Sequence, residues 1–255
     1  MNLHLPLSAR SGRGLRLAFS LIELLVVMVI IGILARIALP AFKGLGQGNV
    51  SASANRQLLD ELAFARLTAI NERTTVYMVF VPLLSQADAQ AHRVKLRTPR
   101  QLRQMTNVLG KQLTGYALFT KRGVGSQPGQ LSPRYLTEWK ALPEGMVFQQ
   151  GKFVPATGRM NVYQKPFWFD AFPFPSADAP EFRLPYLAFN SSGQLVGSQD
   201  EIIPLSRGTV FFGRDAEGNA VGQADVDISP KDNTNSVLRV GWLTGRANVI
   251  KPVLP

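Results

Sequence analysis

Apolar side chains run without a polar interruption from Leu24 to Ala35, with Glu23 and Arg36 standing as single charges at the two ends. Phe19 to Leu39 is 21 residues. As a helix that stretch is about 30 Å long, enough to cross a bilayer core. A buried helix of a soluble core could be equally apolar. The flank Arg10, Arg13 and Arg16, with no acid among them, favours the membrane reading and places the rest of the chain on the outer side. Gly32 lowers helix propensity and lets a neighbour approach closely. Pro40 removes a backbone donor, and Gly44, Gly46 and Gly48 follow, so a soft joint is expected there.

Beyond the joint the period changes. The helix is expected to resume near Ser51 or Ser53, with Leu58, Leu62, Ala65 and Ala69 on one face and Arg56, Asp60, Arg66 and Glu72 on the other. A strand is predicted from Thr75 to Val81, stopped by Pro82. Residues 83–112 read as an insertion, polar and alanine-rich from Gln86 to Ala91. Pro99 then opens a helix that carries Leu102, Met105, Val108 and Leu109 on one face and ends at Gly110. Strands are expected at Leu113–Lys121, Tyr135–Lys140 and Met146–Phe153, with a Gly/Gln/Ser/Pro loop at 123–133. Residues 166–186 alternate aromatics with prolines and read as a long loop packed on a sheet, or as a protein-binding surface. The tail predicts a hairpin around Asn190–Gly193, a strand from Ile202 to Phe212, and a last hairpin turning at Thr244–Gly245.

Charge is distributed unevenly. The chain of 255 residues has a net charge of +11, and residues 89–137 hold Arg93, Lys95, Arg97, Arg100, Arg103, Lys111, Lys121, Arg122 and Arg134 with no acid. That segment offers either a polyanion surface, with Arg97, Arg100, Arg103, Lys111 and the later Arg246 as contacts, or a solvated or subunit-docking face, which is the preferred reading. Tyr116 and Phe119 lie within it as aromatics that could stack bases. There are no cysteines, which excludes disulfides and thiolate-metal chemistry.

Glu23 is the informative residue, because a carboxylate at the edge of a hydrocarbon segment needs a cation or a proton. Here the chain resembles a known family. Phe19-Ser20-Leu21-Ile22-Glu23-Leu24-Leu25-Val26-Val27, followed by Ile31-Gly32-Ile33-Leu34-Ala35 and Ala38-Leu39-Pro40-Ala41-Phe42, is similar to the prepilin signature of type IV pilins and type II secretion pseudopilins. The resemblance implies cleavage by a prepilin peptidase between Ala18 and Phe19 and N-methylation of Phe19. The family usually has glycine where this chain has Ala18. It also implies assembly with other pilins or pseudopilins, in which Glu23 meets the Phe19 amine of a neighbour, with Gly32 and Pro40 serving the filament helix. A second likeness, Ala65-Arg66-x-x-Ala69-Ile70 with the ending Leu243-Thr244-Gly245-Arg246-Ala247-Asn248-Val249, is to H-type minor pseudopilins and FimT-like minor pilins. DNA-binding members of that group carry a second arginine where this chain has Asn248.

The expected organisation is a leader at 1–18, a membrane half-helix at 19–39, a linker and soluble half-helix at 40–73, and an outward-facing β-sheet domain at 74–255 with the basic insertion 83–112. The fold class is α+β, a long N-terminal helix on an antiparallel sheet. With two histidines, His4 and His92, and no phosphate-cradling loop, no catalytic constellation is visible and an enzyme is not expected. No cofactor is expected; Asp215, Glu217, Asn219, Asp225 and Asp227 could offer oxygens to calcium, but a solvated turn is favoured. The function expected is a minor pseudopilin of a type II secretion pseudopilus in the inner membrane, the alternative a DNA-binding minor pilin of DNA uptake. Asp200 with Glu201 reads as a solvated turn pair.

Overall fold

The computed structural model describes residues 21–123, 132–154, 165–214, 220–228 and 236–250. The loop expected at 123–133 lies almost entirely outside them. The chain divides into two compact units, Met1–Gln47 and Gly48–Pro255. Helix α1, Leu21–Asn71, begins in the first and ends in the second. Pro40 lies within α1, which runs unbroken into the stretch where the helix is expected to resume near Ser51 or Ser53. A proline costs one helical hydrogen bond and leaves the bonds of neighbouring residues in place. The boundary between units nevertheless falls at Gln47 and Gly48, in the glycine cluster read as the joint.

In the first unit every side chain from residue 21 to 36 is exposed. No helix among the described residues is long and apolar enough to cross a membrane. The expected span, 19–39, runs past the described side chains at both ends.

In the second unit α1 contributes a stripe of fully buried residues, Ala54, Leu58, Leu62, Ala65 and Ala69. The four-, four-, three- and four-residue steps keep them on one face. They pack on a sheet built from β1 (Val76–Phe80), β2 (Gly115–Thr120), β3 (Arg134–Tyr135), β4 (Lys140–Ala141), β6 (Trp168–Pro173) and β7 (Glu181–Phe189). The order is β3-β2-β1-β7-β6, with β4 also on β2. A second sheet, also antiparallel, runs β11 (Ala247–Ile250), β10 (Ser236–Val240), β8 (Glu201–Arg214), β5 (Met146–Phe148), and β9 (Ala220–Ile228) pairs with β8. The α1 stripe, Met78, Phe80 and Leu187 of the first sheet, and Phe148, Leu205 and Leu238 of the second share one core.

The other face of the first sheet is covered too. Val79, Val81, Phe119, Phe172 and Leu184 point there and pack with α2 (Gln86–Lys95) and α3 (Pro99–Leu109). The insertion is therefore a second helical layer. Its polar, alanine-rich start is helical as well, because Ser85 accepts a hydrogen bond from the Asp88 amide and so caps a helix there. Helix α3 matches the expectation: Pro99 opens it, and Thr98 and Gln101 form a reciprocal capping box.

Residues 166–186 hold strand β6 and the start of β7 joined by a turn, not a long loop. β6 and β7 pair from Trp168 with Tyr186 to Pro173 with Glu181. Prolines are tolerated because β6 is the sheet edge and the β1 ladder on β7 stops at Tyr186, short of Pro185. Five of the seven aromatics serve the core: Phe167, Phe172 and Phe174 are buried, and Phe182 and Tyr186 pack partly buried against it. The strand expected at Tyr135–Lys140 shrinks to its two ends. In the gap the Thr137 hydroxyl, rather than a backbone carbonyl, takes the Leu118 amide. Met146–Phe153 is cut to β5 and a 3-10 turn at Gln150–Lys152 that carries Lys152 inward. Strands β8, β10 and β11 fall where they were expected, and β9, unforeseen, completes a hairpin with β8.

Candidate functional site

The first region of interest is residues 21–36 of α1. Twelve large apolar side chains there are exposed, from Val27 at 45% to Leu21 at 85%. They cover the whole circumference, since they occupy nearly every position. A helix apolar all round is unstable in water and requires lipid or other apolar helices around it. Glu23 lies in its first turn and is exposed. The nearest cation on the same helix, Arg36, stands about 20 Å further along, too distant to compensate it. A Cβ built on Gly32 meets nothing within 4 Å, so that surface is open to a close neighbour. Pro40 lies inside α1. Ala18 and Phe19 lie outside the described residues.

The basic segment is the second region. Arg93, Lys95, Arg97, Arg100 and Arg103 are all on α2 and α3 or the short link between them, and Lys95, Arg97, Arg100 and Arg103 are exposed. Arg100 and Arg103, three residues apart on α3, are neighbours on one helix surface, and the non-helical link at 96–98 separates them from Arg93 on α2. The remaining cations are engaged elsewhere. Lys111 Nζ donates to the Trp139 carbonyl. Lys121 pairs with Asp170 at 2.7 Å, and Arg134 grips Glu72 through two bonds of 2.8 and 2.9 Å. Arg246 belongs to the β10–β11 turn on the α1 side of the fold, so the five cations proposed as contacts do not form one surface. Tyr116 and Phe119 are fully or almost fully buried and cannot stack bases.

By pattern Arg66 belongs to the solvated face of α1. Its Nε instead donates to the carbonyls of Thr244 at 2.7 Å and Gly193 at 3.3 Å. Gly193 and Gly245 both have left-handed backbone, φ +75° and +61°. A Cβ on Gly245 would stand 1.9 Å from the Gly193 carbonyl oxygen. The arginine and the two glycine turns thus form one structural lock. The recurring Ala-Arg-x-x-Ala-Ile pattern was the available signal, but only the fold shows what the arginine touches.

Asp200 and Glu201 are also not a solvated pair. Asp200 accepts from the Trp242 amide at 2.9 Å and from Arg239, and these bonds hold its carboxyl below the usual range. Glu201 turns inward to Lys152 at 2.5 Å, with both residues buried. The Lys152 ammonium also lies 4.5 Å from the Phe167 ring centre, and burial lowers its pKa. His92 is 2% exposed, donates from Nε2 to the Phe174 carbonyl at 2.7 Å, and is pushed to lower pKa by burial. These groups hold strands and turns together and do not converge on a cleft. Among the described residues no three acidic, histidine or cysteine side chains could hold a metal. Of the calcium candidates, Asp215, Glu217 and Asn219 lie outside the described residues, and Asp225 and Asp227 are exposed on β9.

The family model described as the prokaryotic N-terminal methylation motif matches residues 15–38. That match falls on the exposed apolar helix bearing Glu23. Among solved structures, the type IV minor pilin FimU of Pseudomonas aeruginosa is similar at 13% identity, over 81% of this chain and 92% of that one, with a TM-score of 0.35. No curated protein matched the chain.

Proposed function

We propose that this chain is a minor pseudopilin of a type II secretion system. It is held in the inner membrane by residues 19–39, cut between Ala18 and Phe19, methylated on Phe19 and then drawn into a filament. The observation that carries the reading is the α1 segment 21–36, apolar around its circumference and exposed along its length. Before assembly lipid surrounds it, and afterwards the equivalent helices of neighbours do. Glu23 is the exception in that surface. Its charge is stabilised in an apolar bundle only by a cation, and the free amine created at Phe19 supplies one four residues away in sequence. Pairing between subunits sets their stagger, because any other register leaves the carboxylate uncompensated.

The test is co-expression with a prepilin peptidase, followed by mass spectrometry. The expected product lacks residues 1–18 and carries one added methyl on Phe19, and Ala18→Gly raises its yield. An unprocessed chain in the presence of active peptidase refutes the reading. Deleting the gene in its host then separates the two filament systems: retained exoprotein indicates the secretion pseudopilus, and lost pili with normal secretion the type IV pilus.

The second reading, a DNA-binding minor pilin, is favoured by one observation, the exposed cations on α2 and α3. It predicts duplex DNA binding that weakens steeply with salt and disappears in the triple variant Arg97→Gln, Arg100→Gln, Arg103→Gln. Absence of binding at low salt refutes it.

A further inference from the structure

A cleft of about 260 Å³ opens where β6 begins. Trp168, the first residue of β6, pairs with Tyr186 of β7. Past that pair β7 continues to Phe189, and residues 195–196 take over its flank. The Val196 amide donates to the Ala188 carbonyl at 3.0 Å, and Leu195 bridges to Phe189. Trp168, Val196 and Gly197 line the cleft together with Lys165, Gln199 and Glu201.

Trp168 is 57% exposed, and among the described residues its indole makes no hydrogen bond and no ring contact. A Cβ built on Gly197 would stand 3.3 Å from Trp168 Nε1, a tight contact, so the glycine keeps a side chain off the ring. The result is a bare aromatic face with an N–H at its edge. The polar groups beside it are donors. Lys165 Nζ donates to Gln199 Oε1 at 2.9 Å, which leaves the remaining ammonium hydrogens, the Gln199 amide hydrogens and the Trp168 N–H for a ligand. Glu201 adds no net charge, because Lys152 holds its carboxylate at 2.5 Å in the buried pair.

Size and charge select the occupant. A specific protein interface buries about 800 Å² on each partner, whereas the exposed apolar surface here is one ring and Val196. A nucleic-acid strand requires several cations along its phosphates, and Lys165 is the one cation in the lining among the described residues. A wholly apolar molecule would cover the donors and leave them unpaired. A pyranose ring with all its substituents equatorial meets each condition. Its axial C–H bonds form a flat apolar face that stacks on an indole, and its hydroxyls stand around the edge as acceptors. The volume lies below the roughly 300–1,000 Å³ of sites for drug-sized ligands and suits one such ring.

We propose that this cleft binds a glucose-configured pyranose ring of a polysaccharide, its apolar face stacked on Trp168 and its hydroxyls bonded to Gln199 and Lys165. The site stands independently of which filament system the chain serves.

The experiment uses the full chain in micelles of a detergent without a sugar headgroup. Saturation-transfer NMR follows titration with cellotriose and with chitotriose, which share the ring configuration and differ in the N-acetyl group. A dissociation constant of about 1 mM is expected for at least one of them, the scale of one stacked ring with a few exposed hydrogen bonds. Trp168→Ala should weaken binding at least about tenfold, and Trp168→Phe, which keeps a flat face, by less. Gln199→Met should weaken it roughly threefold. Trp242→Ala removes another exposed indole, on the β10–β11 turn, and should change binding less than about twofold. Circular dichroism confirms that each variant is folded; Trp168 is exposed on a sheet edge, so its loss leaves the core intact. No binding of either sugar up to about 20 mM overturns the proposal. So do equal losses in Trp168→Ala and Trp242→Ala. Binding of cyclohexanol as tight as that of the sugars also overturns it, since the donors would then contribute nothing.

Discussion

Gly245→Ala isolates the lock between α1 and the two turns. The added Cβ would sit 1.9 Å from the Gly193 carbonyl oxygen, where real contacts stay beyond 3.0 Å. The turns must therefore separate by more than 1 Å, which pulls the Thr244 and Gly193 carbonyls away from Arg66 Nε. Hydrogen bonds to a charged group contribute about 1.5–3 kcal/mol. The left-handed φ of +61° adds about 1 kcal/mol for a residue with a Cβ. The expected total is about 2.5–4 kcal/mol. Gly145→Ala is the control, because Gly145 has φ +87° and open space within 4 Å of its Cβ. It reads the backbone cost alone, about 1 kcal/mol. Urea unfolding of residues 48–255, followed by tryptophan fluorescence, should show the Gly245 variant with a midpoint lowered by roughly 2 M and the Gly145 variant by less than half of that. Equal destabilisation of the two would refute the argument that contact, rather than backbone conformation, dictates glycine at 245.

Other expectations follow from the remaining contacts. Glu23→Gln should leave membrane residence and cleavage intact while filament incorporation, read by cross-linking to neighbouring subunits, is lost. Glu201→Gln leaves the Lys152 ammonium buried beside an amide and should cost about 3–5 kcal/mol in urea unfolding, whereas Lys152→Met with Glu201→Leu should cost less, since no unpaired charge remains. His92 is held neutral, its pKa below the ordinary 6.5, so the unfolded chain binds the proton more readily. Stability should be full above about pH 6.5 and fall as pH drops toward the lowered value, and His92→Gln should flatten that slope. Asp200 follows the same sign at lower pH: its contribution is present above its ordinary value of 3.8 and is lost as pH falls through the depressed one, and Asp200→Asn removes that dependence.

The sequence alone determined the elements whose signal is local. Residues 19–39 declare themselves by an apolar run with one carboxylate, and the family motif rests on that same run. Helix α3 is legible because Thr98, Pro99, Gln101 and Gly110 are cap residues in place, and β8 and the last hairpin because β-branched runs flank clear turns. Local signals failed where a distant partner decides. Pro173 and Pro185 argue against strand, yet β6 and β7 form because β6 occupies an edge and its Phe172, with Leu184 of β7, fills the core beneath α2 and α3. Asp200 and Glu201 look alike in sequence but face opposite environments, since successive residues at a strand start point to opposite sides. Arg66 reads as a solvated cation until two turns more than 120 residues away bring their carbonyls to it. The cleft beside Trp168 likewise exists only because residues 195–196 are brought to the flank of β7 where β6 begins. Periodicity reports which face of an element is apolar; which element covers it, and which polar atoms are left to a partner, depends on pairings between residues far apart in the chain.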